Sequence, residues 1–145
     1  MEYKFVIEGK YYGENTLPDL NNYIHECSRH PQCGAKMKRE SMMIAANAIR
    51  KQLPKLKIPG MVHIHYRYYE SSKRRDKSNV ASMAVKVIED ALQKCGVLSN
   101  DGWANISGYS QDFFVDKENP RIEVTIKEVE GENEEWRNEE CLQKA

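Results

Sequence analysis

Two stretches of this chain alternate apolar and polar residues, and two others repeat apolar residues every three to four positions. In residues 61–69 (MVHIHYRYY), Val62, Ile64, Tyr66 and Tyr68 point one way and His63, His65, Arg67 and Tyr69 the other, which predicts a half-buried strand. Residues 121–129 (RIEVTIKEV) alternate as cleanly and predict the last strand. Residues 3–8 (YKFVIE) and 106–115 (ISGYSQDFFV) read as two further strands, the second followed by a turn at 116–120. The helical period appears at Val80, Met83, Ala84, Val87, Ile88, Ala91 and Leu92, with Ser78 or Asn79 as N-cap and Gly96 as the stop. It appears again at Met42, Ile44, Ala45, Ala48, Ile49 and Leu53, behind a Ser41 N-cap and ahead of Pro54. Residues 9–18 read as loop, residues 21–24 as a short turn of helix and residues 25–33 as a basic, partly mobile loop.

The order strand, helix, strand, helix, strand, strand predicts one α+β domain over residues 1–130. Its mixed sheet has about four strands, with two main helices packed on one face. Residues 131–145 (GENEEWRNEECLQKA) form an acidic tail without a sustained apolar face, read as disordered or as a short helix that shields the basic surface. No apolar run reaches membrane-spanning length and the N-terminus lacks a signal-peptide pattern, so the expectation is a soluble cytoplasmic protein. The four scattered cysteines are then reduced thiols.

Charge changes the picture. The chain is neutral overall, yet residues 29–94 hold fifteen Lys and Arg against five Asp and Glu, a net +10. A basic middle between acidic ends is the footprint of a surface that grips phosphates.

The basic cluster Lys73-Arg74-Arg75 leads into the most informative stretch, 73–101. There Asp76 stands at the helix entrance, Lys86 and Asp90 share a polar face with Asn79, and Asp101 lies past the exit. Carboxylates converging beside a lysine suit a divalent cation that activates water against a phosphodiester. A solvated helix with Asp76 as its cap and an exposed Lys86–Asp90 pair has the same spacing. A second cluster, His25, Cys27, His30 and Cys33, holds zinc-type ligands, but its spacing is not a usual zinc pairing and Pro31 interrupts it. His63 and His65 read as a solvated pair on the polar face of their strand.

The string Arg74-Arg75-Asp76-Lys77-Ser78-Asn79, the helix from Lys86 to Asp90-Ala91-Leu92, Cys95-Gly96-Val97-Leu98 and Asp101 resemble the RusA family of Holliday-junction resolvases. Two earlier segments, Leu17-Pro18-Asp19-Leu20-Asn21-Asn22-Tyr23-Ile24 and Gly34-Ala35-Lys36-Met37-Lys38, are similar to the phage and prophage branch. The resemblance covers residues 3–130. It implies a homodimeric, Mg²⁺- or Mn²⁺-dependent endodeoxyribonuclease that resolves four-way junctions in recombination and repair. The family's catalytic set is an aspartate pair, a helix lysine and an aspartate after the helix. Here Asp76, Lys86 and Asp101 carry it over, and Ser78 stands where the second aspartate belongs. Asp76 and Asp101 would hold the metal, with Asp90 as a substitute carboxylate and the Ser78 hydroxyl acting through water. Lys36, Lys38, Arg39, Arg67, Lys73, Arg74, Arg75, Asn22 and Asn79 would hold DNA phosphates. The alternative expectation is a junction-binding homologue that Ser78 has left without chemistry.

Overall fold

Three of the four strands bury one parity of their side chains, so one face of the sheet is covered and the other is open. On β2 (Val62–Glu70) the buried set is Val62, Ile64, Tyr66 and Tyr68, and on β4 (Arg121–Glu128) it is Ile122, Val124 and Ile126. Phe5 and Ile7 of β1 (Glu2–Glu8) complete that face. The computed structural model describes residues 1–129, and the acidic tail lies outside them. Its sheet has the order β1-β4-β2-β3, with β3 spanning Ile106–Val115. β1 and β2 flank β4 antiparallel to it, and β3 pairs parallel to β2 at the edge. The expected α+β architecture with a mixed four-stranded sheet is present.

Parallel neighbours need a crossover, and α3 (Lys77–Lys94) supplies it. α3 buries the predicted stripe against the sheet, and Gly96 at φ +76° ends it in the left-handed conformation that a side chain disfavours. Val97 and Leu98 N–H groups then bond back to the Leu92 carbonyl. The first residue outside α3 is Asp76, so the cap falls there rather than on Ser78 or Asn79. Asp76 satisfies the helix start through its backbone carbonyl, which accepts from the Asn79 and Val80 N–H groups.

Two sequence expectations are corrected between residues 20 and 53. Residues 25–33 are not a loop but the end of α1 (Leu20–Arg29) and the start of α2 (Pro31–Gln52), so there are three helices among the described residues. Pro31 opens α2 rather than interrupting it, because proline's fixed φ and missing N–H suit a first helical turn. Ser41 is a buried mid-helix residue whose hydroxyl donates to the Met37 carbonyl at 2.8 Å. Asp19 and Asn22 cap α1 reciprocally, each backbone N–H donating to the other's side-chain oxygen at 2.9 Å. Gly34 lets the two helices close up, since a Cβ there would collide with the Cys27 sulfur. No helix among the described residues is long and apolar enough to cross a membrane.

Candidate functional site

The second half of α3 and the turn after it bring three predicted residues together. Lys86 Nζ lies 3.2 Å from Asp90 Oδ1, one helical turn on, and 3.5 Å from Asp101 Oδ2. The Asp90 hydrogen bond and charge, followed by the charge of Asp101, raise the pKa of Lys86 and keep it charged. Glu89 completes this group and was missed in the sequence, although its three-residue spacing from Lys86 is the same helical signal. Burial, then the charges of Asp101 and Asp90, push its carboxyl up to about 7 against the partial relief that Lys86 gives. Beneath it the Tyr66 hydroxyl is buried without a hydrogen-bond partner among the described residues, while the Tyr68 hydroxyl donates to Gln111 at 2.7 Å.

A carboxyl whose pKa is raised on folding binds its proton more tightly in the folded chain. Stability therefore falls as pH rises from the ordinary carboxylate range through about 7, then levels off. We expect Glu89→Gln to flatten that slope and to gain about 1 kcal/mol over the wild type near pH 8, after discounting for solvent screening of a half-exposed group. Thermal melts at a series of pH values check this. A wild-type melting temperature that does not fall across the window contradicts it.

Asp76 stands apart. It lies ten positions before Lys86, about 15 Å along the helix axis. Because α3 runs from the C-terminal end of β2 back to the N-terminal end of β3, Asp76 and Asp101 sit at opposite ends of the crossover. Asp76 and Ser78 line an open 910 Å³ cavity with Lys73, Lys77, Phe113 and Phe114, and neither Lys86, Asp90 nor Asp101 borders it. Among the described residues no three His, Cys, Asp or Glu side chains gather as a metal would require. The donors that the resemblance assigns to Mg²⁺ or Mn²⁺ do not fit that ion within one chain: Lys86 already occupies the space between Asp90 and Asp101.

The predicted phosphate contacts divide in the same way. Lys73 and Arg74 are exposed at the Asp76 end, and Lys77 joins them with its ammonium 5.7 Å from the centre of the Phe113 ring. Arg75 is withdrawn from solvent. Its Nε and Nη2 donate to Glu70 at 2.7 and 2.9 Å, and its Nη1 donates to the Leu17 carbonyl at 2.7 Å. These bonds commit the Arg75 guanidinium within the fold. Asn22 is likewise committed through its side-chain oxygen to the α1 cap. Asn79 is half-buried in the first turn of α3. Arg67 is exposed on the open face of the sheet, whereas Lys36, Lys38 and Arg39 belong to α2 on the covered face, so the sheet lies between them.

Two of the four zinc-type ligands are otherwise engaged. His30 caps α2 by accepting from the Gln32 N–H at 3.1 Å, and Cys27 packs on Gly34 within hydrogen-bond reach of Tyr23. On the open face, His63 and His65 bond through Ser110 on β3 rather than standing solvated, a link that only strand pairing creates. No protein-family model matches the chain, and no curated protein matches its sequence.

Proposed function

We propose that the protein is a structure-selective endodeoxyribonuclease for four-way or related branched DNA, acting in the cytoplasm as a two-fold dimer whose cutting sites each draw on both copies. The observation that carries this reading is the position of the two carboxylate groups relative to the edge strand. β3 is ten residues long, lies at the sheet edge, and exposes Tyr109, Phe114 and Val115. Such an edge is a template for pairing with another strand.

Antiparallel pairing of β3 with its symmetry mate sets the Phe113–Val115 end of one copy against the Ile106 end of the other. Asp76 borders the first end and Asp101 precedes the second, so the pairing places Asp76 and Ser78 of one chain beside Lys86, Asp90 and Asp101 of its partner. Asp76 and Asp101 would there hold Mg²⁺ or Mn²⁺, which supplies Lewis-acid activation of a water. Lys86 would stabilise charge developing on the phosphorane, and Lys73, Arg74 and Lys77 would position the strand by its phosphates. Two such sites related by a two-fold axis match a junction's symmetry.

Incubation with a synthetic four-way junction and Mn²⁺ should give paired nicks in strands of like polarity, and sedimentation should give a dimer. A monomer at micromolar concentration that leaves the junction uncut would remove this proposal. The engagement of both Asp90 and Asp101 by Lys86, together with the hydroxyl at Ser78, favours a second reading in which the protein binds junctions without cutting them. Salt-sensitive binding without product, unchanged in Ser78→Asp, is its signature.

A further inference from the structure

A hydrogen-bonded chain of four side chains crosses the open face of the sheet at the β2–β3 seam. Asp112 Oδ2 lies 3.0 Å from His65 Nε2, and His65 Nδ1 lies 2.5 Å from Ser110 Oγ. The same Ser110 oxygen lies 2.9 Å from His63 Nε2. Parallel pairing makes this array, because His65 sits opposite Ser110 and Arg67 opposite Asp112. One set of proton positions satisfies every link: His63 donates to Ser110, Ser110 donates to His65, and His65 donates to Asp112. It requires an unprotonated Nδ1 on His65, and His63 can donate from Nε2 in either charge state. Burial, then the charges of His65 and Lys127, lower the pKa of the His63 imidazole.

We propose that Ser110 is a nucleophile, with His65 as its general base, Asp112 positioning His65 and His63 orienting the hydroxyl, and that the array accepts acyl groups from small anionic esters. Hydroxyl, base and orienting carboxylate stand in the order and at the distances that serine acylation needs. A 320 Å³ concavity bordered by His63 and His65, with Ser110 behind them outside its lining, is lined also by Lys4, Arg67 and Lys127, with Glu2 and Glu123 as its carboxylates. Glu123 is already held by Arg121 at 2.8 Å, which leaves the cations in excess for a substrate carboxylate. In the reaction Ser110 Oγ attacks the ester carbonyl and its proton passes to His65 Nδ1. The bond to the leaving alcohol breaks and that alcohol takes the proton from His65. Water then attacks the acyl-serine by the same proton path and releases the acid. This activity is independent of the DNA reading, because none of its four residues belongs to the proposed nuclease site.

The test uses the full chain with mono-p-nitrophenyl succinate and, in parallel, p-nitrophenyl acetate, followed by peptide mapping of the adduct. We expect a succinyl group on Ser110, formed at least about tenfold faster than in His65→Gln and absent in Ser110→Ala. Asp112→Asn should slow the reaction and shift its pH–rate profile without moving the thermal melt, and Asp112→Glu should restore part of the rate. Diisopropyl fluorophosphate should label the same serine. Adducts only on lysine or histidine, or a Ser110 rate unchanged in His65→Gln, overturn the proposal. Acetate reacting faster than succinate overturns its anionic specificity.

Discussion

Mixing two inactive variants, Asp76→Asn and Asp101→Asn, is expected to restore junction cutting. Each alone should lose on the order of a hundredfold or more in rate, because each removes a charge from both sites of a symmetric dimer. In a dimer with one copy of each variant, one site receives both substitutions. The other receives Asp76 from the Asp101→Asn copy and Asp101 from the Asp76→Asn copy, and is intact. With random assortment half the dimers are mixed and half their sites work, so about a quarter of wild-type nicking returns. The products should be single nicks rather than paired ones. A site built within one chain permits no recovery, since every chain in the mixture is broken. The separation of Asp76 from Lys86 along α3 is what makes the two outcomes differ. Co-refolding the variants and scoring nicks on a labelled junction gives the answer, and a mixture as inactive as its parts would refute the shared site.

Arg75→Ala is expected to cost about 3 kcal/mol of stability, a fall of roughly 10 °C in melting temperature. Arg75 and Glu70 side chains are only 14% and 13% exposed, and the guanidinium binds both carboxylate oxygens as well as the Leu17 carbonyl. Truncation therefore leaves a poorly solvated carboxylate and a carbonyl without their donor, which is the costly way to break such a pair. The contact also ties the loop before α1 to the end of β2 and the start of α3. Arg75→Lys should fail to rescue fully, because an ammonium cannot make the two-pronged bond. The neighbouring Arg74→Ala should change stability by less than about 0.5 kcal/mol. It should instead weaken DNA binding and lower the salt dependence by about one released counterion. A wild-type melt for Arg75→Ala would return that residue to the phosphate surface.

The strands β2 and β4 and the α3 stripe were legible because period two and period 3.6 are local properties of a backbone beside a core. Val62, Ile64, Tyr66 and Tyr68, and the run from Val80 to Leu92, are buried as their spacing required. The 25–33 segment is not legible as helix because Pro31 reads as a breaker, and the His30 cap that makes it a helix start rests on a single side chain. Spacing from Lys86 does not tell Glu89 from its neighbour Asp90, and only burial, which raises the Glu89 carboxyl, separates them.

The residues themselves determined the strands, the central helix with its Gly96 stop, and the pairing of Lys86 with Asp90 one turn along α3. Folding alone decided that Asp76 and Asp101 occupy opposite ends of a crossover, that Arg75 turns inward to Glu70, and that Ser110 meets two histidines from a neighbouring strand. The reason is one of range. Periodicity records which side of its own element a residue faces, whereas proximity between residues far apart in the chain depends on strand order and the direction of each connection.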